Sequence, residues 1–346
     1  MKFKNLSLLA LCLAIGFVSC KKDDESEVTV VPPRDRTEQQ AADMDSLQKY
    51  LQSHYYNKAE IEAALPNIGI NDIKILELTG DETVPDGYEL LETAVGAPID
   101  TTYADTEYQY YVLKINQGGG YNSPTVADDI QILYEGFTLG DVVFDSKYYP
   151  DSNPLDLTSL IPGWRFVIPK YNVSESFADN GDGTVSFSNS GVGVMFLPSG
   201  LAYFSSATGS IAAYSPLVFK FELLQMGQND HDGDGVPTYL EGLTVNTDED
   251  TYADAYGYLY PRYDYIDTDD DGDGVLTKNE ITVRTVKGAS VEVVKSEPLD
   301  ADEVLLNYIA KNSEGEFVGT VIKLYDTNAN EIPDYLESDI KINYSL

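Results

Sequence analysis

Residues 130–146 read Ile130-Gln131-Ile132-Leu133-Tyr134-Glu135-Gly136-Phe137-Thr138-Leu139-Gly140-Asp141-Val142-Val143-Phe144-Asp145-Ser146, and their reading decides the fold. Apolar and aromatic residues dominate 130–139, Gly140-Asp141 closes the run, and 142–144 are apolar again. That is a strand, a turn and a hairpin partner. Working outward, residues 110–115, 192–197 and 217–224 read as further short strands, with a turn at Gly118-Gly119-Gly120. Leu160-Ile161-Pro162-Gly163-Trp164 reads as the entry to a short helix. Several strands around one short helix predict an α+β, antiparallel half-barrel over residues 106–226. Before it, residues 36–64 show helical spacing at Met44, Leu47, Leu51 and Tyr55. Residues 65–105 are mixed, with a short apolar run at 73–78. The segment 36–105 is therefore expected to be a helical, mixed unit packed on the next domain.

The same residues resemble FKBP domains. Tyr134-Glu135-Gly136-Phe137, with Gly140 and Phe144-Asp145-Ser146, is similar to that family's opening, Y-x-G-x-L-x-x-G-x-x-F-D-S. Ile161-Pro162-Gly163-Trp164 resembles its V-I-x-G-W. Residues 196–203, ending in Ala202-Tyr203, and 216–224, Pro216-Leu217-Val218-Phe219-Lys220-Phe221-Glu222-Leu223-Leu224, resemble the last two motifs in the family's order. The resemblance implies peptidyl-prolyl cis–trans isomerase activity on proline-containing polypeptide clients. It also implies a pocket with Trp164, the single tryptophan, as its floor. Tyr134, Phe144 and Phe219 would be aromatic walls, and Leu155 and Leu160 aliphatic ones. The Ile161 N–H and the Tyr203 hydroxyl would meet substrate carbonyls, Asp145 would line the pocket, and Ile211 would close the rim.

The chain departs from the pattern at Leu155, where an aromatic is common, and at Phe204, which stands for a glycine. Ala212-Ala213 replace paired prolines, and no arginine follows Asp145 at the usual distance. Residues 165–193 are longer than in the family and contain Asp179-Asn180-Gly181-Asp182-Gly183, read as an inserted hairpin turn. The altered rim leaves two alternatives open, a non-catalytic binder of proline segments and a surface adhesion module on a calcium-stiffened stalk.

Beyond residue 226 the chain repeats the loop pattern D-x-[DN]-x-[DN]-G-x₅-E. Asp230, Asp232, Asp234, Gly235 and Glu241 fill it, as do Asp269, Asp271, Asp273, Gly274 and Glu280. Val236 and Val275 would add backbone carbonyls. A third run, Asp326, Asn328, Asn330 and Glu337, keeps the spacing but has Glu331 at the glycine position. Calcium takes hard oxygen ligands, and the spacing turns alternate side chains inward. A proline follows the loop core in the first and third runs, so the segment resembles calcium-wrapped thrombospondin type 3 repeats rather than helix-flanked EF-hands. Residues 227–346, with 27 acidic against 8 basic residues, are expected to be an irregular region holding structural calcium.

The N-terminus has Lys2 and Lys4, an apolar run over 6–18, then Ser19-Cys20. This is the anatomy of a secretory signal over 1–19, with Cys20 as the lipidated residue and a tether over 20–35. The apolar run is too short to span a bilayer. Cys12 lies inside the signal, so Cys20 would be alone in the mature chain, with no disulfide within one molecule. Lys21-Lys22-Asp23-Asp24-Glu25 resembles the export tag of Bacteroidetes lipoproteins, which implies an outer-membrane anchor facing the periplasm or the cell surface. A net charge of −36 argues against nucleic acid as a partner.

Overall fold

The computed structural model describes residues 32–80 and 82–345. The signal and Cys20 lie outside the described residues. Among those residues no helix is long and apolar enough to cross a membrane. Residues 35–346 cluster as one unit.

Helix α1 (Arg36–Ser53) starts where the Asp35 carboxylate accepts the Glu38 N–H at 3.0 Å, satisfying one orphan donor of the first turn. The helical spacing had suggested a helix running on to residue 64. Instead the chain turns into strand β1 (His54–Tyr56), followed by α2 (Lys58–Ala64). The reason is tertiary. Strand β1 is paired on both sides, by β2 (Ile75–Glu77) and β3 (Glu89–Leu90). The Asn57 side chain, 1% exposed, fixes the corner by donating to Asp72 O and accepting from the Lys74 N–H, both at 2.9 Å. A short α3 (Leu91–Val95) follows.

The central sheet contains β4 (Ile99–Tyr103), β5 (Thr106–Gln117), β6 (Asp129–Thr138), β7 (Val143–Lys147) and β8 (Leu155–Asp156). Helix α4 (Pro162–Val167) follows, and a separate hairpin, β9 (Ser176–Asp179) with β10 (Val185–Ser188), forms the insertion expected at 179–183. Strands β11 (Gly191–Leu197) and β12 (Leu217–Gly227) complete the antiparallel order β4-β5-β11-β12-β6-β7, with β8 on β6. The hairpin read at 130–146 is thus the β6–β7 edge.

Every residue of β11 is buried, because both faces of the sheet are covered. Met195 and Leu197 face the cluster containing Trp164, Phe219 and Ile168. Val192, Val194 and Phe196 face the opposite cluster, which contains Leu47, Tyr50 and Leu51 of α1. The period-two alternation of a strand distributes its side chains between the two cores.

Helix α1 is tied to the sheet by a buried carboxylate. Asp43, 2% exposed, accepts from the Ser199 N–H at 2.7 Å, the Ser199 hydroxyl at 2.6 Å and Gln39 Nε2 at 2.6 Å. Ser199 lies four residues before Tyr203, so the bond reaches the rim of the aromatic pocket. Asp43→Ala would strand two fully buried Ser199 donors and should destabilise the protein by about 3 kcal/mol, read as a lower urea midpoint. An unchanged midpoint would show that α1 is held by apolar packing alone.

The C-terminal part is more regular than its sequence suggests. It contains α5 (Thr238–Glu241), a hairpin of β13 (Thr251–Ala253) and β14 (Leu259–Pro261), then β15 (Ile281–Gly288), α6 (Val291–Lys295), β16 (Glu303–Lys311) and β17 (Phe317–Leu324). The last three strands form an antiparallel sheet ordered β15-β17-β16. Val236, Ile281 and Tyr335, each inside or beside one acidic loop, share a small core with Leu306 and Ile322. Asn122 joins this part to the central sheet, donating to Ile309 O at 2.9 Å and accepting from the Ile309 N–H at 3.1 Å.

Candidate functional site

The aromatic residues singled out in the sequence converge. The Trp164 ring, 4% exposed at the start of α4, meets Tyr134 edge-on at 5.4 Å and Phe219 at 5.4 Å. Phe144 meets Phe219 at 5.5 Å and 85°. Such edge-to-face pairs align the positive rim of one ring with the negative face of the next. Leu155, Leu160, Ile161 and Ile211 pack on the same cluster. Gly136 is required for this contact. A Cβ there would lie 2.6 Å from Phe219 Cε1 and 2.7 Å from Phe144 Cζ, so any side chain would push the two walls apart.

Polar groups sit at the mouth. The Tyr134 hydroxyl donates to Asp145 Oδ2 at 2.8 Å. Asp145 forms no ion pair among the described residues, so Tyr134 serves as its partner in place of the arginine missing from the sequence. Tyr203, 38% exposed, has its pKa raised by burial and then by the Asp145 charge, which keeps its hydroxyl a neutral donor. The Ile161 N–H donates to no group among the described residues. Both donors expected to meet substrate carbonyls are therefore available. All ten pocket residues named from the sequence lie in or around this one cluster.

Phe204 takes φ 48°, the left-handed region that favours the glycine the family pattern has there. Its ring is held by Arg36 of α1, whose guanidinium carbon lies 4.2 Å from the ring centroid, and by Tyr214 edge-on at 5.2 Å. The departure at 204 thus ties α1 to the rim, a role that sequence reading missed because nothing near Arg36 signals a partner so far along the chain.

The three acidic loops share one hydrogen-bond scheme. In each, the first aspartate accepts from the N–H five residues on: Asp230 from Gly235 at 3.0 Å, Asp269 from Gly274 at 3.1 Å and Asp326 from Glu331 at 2.9 Å. The fifth-position side chain accepts from the seventh N–H, as Asp234 does from Val236, Asp273 from Val275 and Asn330 from Ile332. The sixth position is left-handed in all three, with φ 99° at Gly235, 92° at Gly274 and 72° at Glu331. Glu331→Gly should therefore stabilise the third loop by up to about 1 kcal/mol, read as a raised melting temperature, and a lowered one would show that the Glu331 side chain contributes.

The loops differ in what they leave unpaired. In the first, Asp232 Oδ2, Asp234 Oδ2 and both Glu241 oxygens are buried without a hydrogen-bond partner. In the second the same holds for Asp269 Oδ1, Asp271 Oδ2, Asp273 Oδ2 and both Glu280 oxygens. Burial and neighbouring carboxylates push Glu241 up to about 9 and Glu280 up to about 8. Buried, unpaired carboxylates are costly, and a hard divalent cation bound by oxygens is the natural partner for this donor set. The residues of both loops fit calcium. The Val236 and Val275 carbonyls accept no hydrogen bond among the described residues and are free for the same use.

The third loop is satisfied from within. Asn328 and Asn330 donate their amide nitrogens to Glu337 at 3.1 and 2.7 Å, so the positions that would face a cation carry N–H donors. Asp334, not singled out from the sequence, accepts from Thr327 and from the Tyr344 hydroxyl. Asp248, Asp250 and Asp267, also missed, lie together, but Arg262 reaches Asp250 at 3.4 Å and Asp267 at 3.7 Å and supplies their positive charge.

No family model matches the chain. An FKBP-type peptidyl-prolyl cis-trans isomerase, FkpA of Aeromonas hydrophila, is 24% identical over 284 residues, which cover 67% of this chain and 97% of that protein. The chain is thus similar to FKBP-type isomerases. The peptidyl-prolyl cis-trans isomerase Mip of Coxiella burnetii is 30% identical over 122 residues, 34% of this chain and 44% of Mip. Among solved structures, a peptidyl-prolyl cis-trans isomerase from Pseudomonas syringae pv. tomato matches over 57% of this chain and 100% of its own, at 16% identity and a TM-score of 0.31. FkpA from Escherichia coli matches over 37% of this chain and 51% of its own, at 22% identity and a TM-score of 0.28.

Proposed function

We propose that this chain is an FKBP-type peptidyl-prolyl cis–trans isomerase acting on proline-containing polypeptides. The observation that carries the reading is the aromatic cluster around Trp164, with two unengaged donors, the Ile161 N–H and the Tyr203 hydroxyl, beside it. Rotation about a prolyl bond faces a barrier of about 18–20 kcal/mol and makes or breaks no bond. No nucleophile or proton acceptor is needed. The twisted amide has lost its resonance and with it much of its polarity, so it loses less than the planar amide on leaving water. A pocket walled by Tyr134, Phe144 and Phe219 holds the proline ring while the Ile161 N–H and the Tyr203 hydroxyl fix the flanking carbonyls. Binding that favours the twisted form over both planar forms lowers the barrier.

The clients are proteins exported with it, because the same reading makes the chain a lipoprotein. Cys20 is the lipidated residue, and the membrane is the outer one, with the chain facing the periplasm or the cell surface. Calcium in the first and second acidic loops is structural. When bound, it supplies positive charge to the eight carboxylates Asp230, Asp232, Asp234, Glu241, Asp269, Asp271, Asp273 and Glu280, which otherwise have, among the described residues, only Lys341 beside Asp273.

A protease-coupled assay of a proline-containing peptide with residues 21–346 tests the enzyme. Accelerated cis-to-trans conversion is expected, and none from a folded sample would favour the binder of proline segments. Labelling with radioactive palmitate tests the anchor. Label lost in Cys20→Ala is expected, and label that persists would refute it.

A further inference from the structure

The geometry points to Asp270 as a ligand of the first loop's cation, contributed across space from the second loop. The inference rests on the calcium reading above and goes beyond the motif, which assigns each loop its own ligands. Asp270 stands second in its loop, where the other loops have His231 and Thr327. Those two side chains return to their own loops, His231 Nδ1 to Thr238 Oγ1 at 2.8 Å and Thr327 Oγ1 to Asp334 at 3.2 Å. The Asp270 backbone keeps the pattern, its N–H donating to Thr277 Oγ1 at 3.3 Å. Its side chain does not.

Asp270 is 1% exposed, and neither of its carboxylate oxygens has a partner. It lies with Asp232, Asp234 and Glu241, ligand atoms within 4.8 Å of one another, and not with Asp269, Asp271 and Asp273 of its own loop. No ion pair among the described residues reaches any of these four carboxylates. An acidic side chain with no role would turn to water, where a carboxylate is best solvated.

The oxygen count separates the two arrangements. Asp232, Asp234 and Glu241 offer four unpartnered buried oxygens, and Asp270 raises the number to six. Calcium takes six to eight, with carboxylates mono- or bidentate, whereas magnesium keeps water and demands a tight octahedron. Asp230 is already engaged, accepting from the Gly233 N–H at 2.8 Å and the Gly235 N–H at 3.0 Å. The first site is therefore complete only when the second loop is in place. Calcium in the second loop orders Asp270 and raises the affinity of the first, so the two sites fill cooperatively.

The test is calcium stoichiometry by equilibrium dialysis on the full chain, paired with thermal melting in calcium and in chelator. Wild type should bind two equivalents. Asp270→Asn should bind one in the same range, with the first site weakened at least tenfold. Its melting temperature should fall in calcium yet match or exceed wild type in chelator, because a buried unpaired carboxylate is gone. That reversal guards against a variant that fails to fold, and a merely structural role would lower both melting temperatures. Glu280→Gln, altered only in the second loop, should also weaken the first site. Asp270→Asn binding two equivalents with unchanged affinity would overturn the shared site while leaving the calcium reading intact. Wild type binding no calcium would remove both.

Discussion

Chelating calcium should lower the melting temperature of residues 228–345 by roughly 20 °C. A cation at a hundredfold excess over its dissociation constant contributes about 2.7 kcal/mol per site, so two sites supply about 5 kcal/mol. In a segment of this size each kcal/mol shifts the midpoint by about 4 °C or more. The cause is the set of buried carboxylate oxygens in the first two loops that have no hydrogen-bond partner, of which, among the described residues, only Asp273 Oδ2 has a cation nearby, Lys341 at 3.8 Å. Acid should partly rescue the chelated state. The folded pKa values of Glu241 and Glu280 lie above their unfolded values, at about 9 and about 8. Their protonated forms favour folding fully below the unfolded carboxylate range, and that contribution is lost as pH rises through the folded values. In chelator the segment should therefore be more stable at pH 5 than at pH 8. Calorimetry in the two buffers checks this, and coincident melting curves would show that the loops stand without a cation.

Chelation should also reach the pocket. His231, inside the first loop, lies 3.3 Å from Asp156 Oδ2, and the same Asp156 side chain accepts from the Thr158 N–H to cap the turn leading to Leu160 and Ile161. Loss of the loop removes one support of that turn, and a fall of a few-fold in kcat/KM is expected. An unchanged kcat/KM would mean that the Thr158 bonds suffice.

Trp164→Ala should remove most of the isomerase activity. On the proposed reading the indole is the floor of the pocket, and it is the contact that holds both Tyr134 and Phe219. Truncating a buried tryptophan costs about 3–5 kcal/mol of stability, so the variant must first be shown to be folded. If the floor favours the twisted amide by about 2.7 kcal/mol, its loss lowers kcat/KM roughly a hundredfold. Trp164→Phe, which keeps an aromatic face, should retain an intermediate rate. A folded Trp164→Ala variant with wild-type kcat/KM would place the chemistry elsewhere.

Much of the pocket was legible because its signals are local. Gly136 marks a point where two rings must close in, and the alternation in 217–224 divides one strand between two cores. The three loops were legible for a similar reason, since the hydrogen bonds they share run between residues two or five apart in sequence. The break of the first helix at His54 was not legible. Helical spacing continues through Tyr55, and only pairing with Ile75–Glu77 and Glu89–Leu90 makes a strand the better state.

The sequence by itself determined the antiparallel sheet, the residues of the aromatic cluster and the shape of the acidic loops, because strand period, turn chemistry and loop hydrogen bonds are short-range. Tertiary structure alone decided the rest. It set α1 behind the sheet with Asp43 on Ser199, brought Arg36 over Phe204, sent Asp270 toward the first loop and turned the third loop's amides onto Glu337. Each of these depends on where distant segments, or side chains free to rotate, come to rest once the cores are packed, and residue spacing carries no record of that.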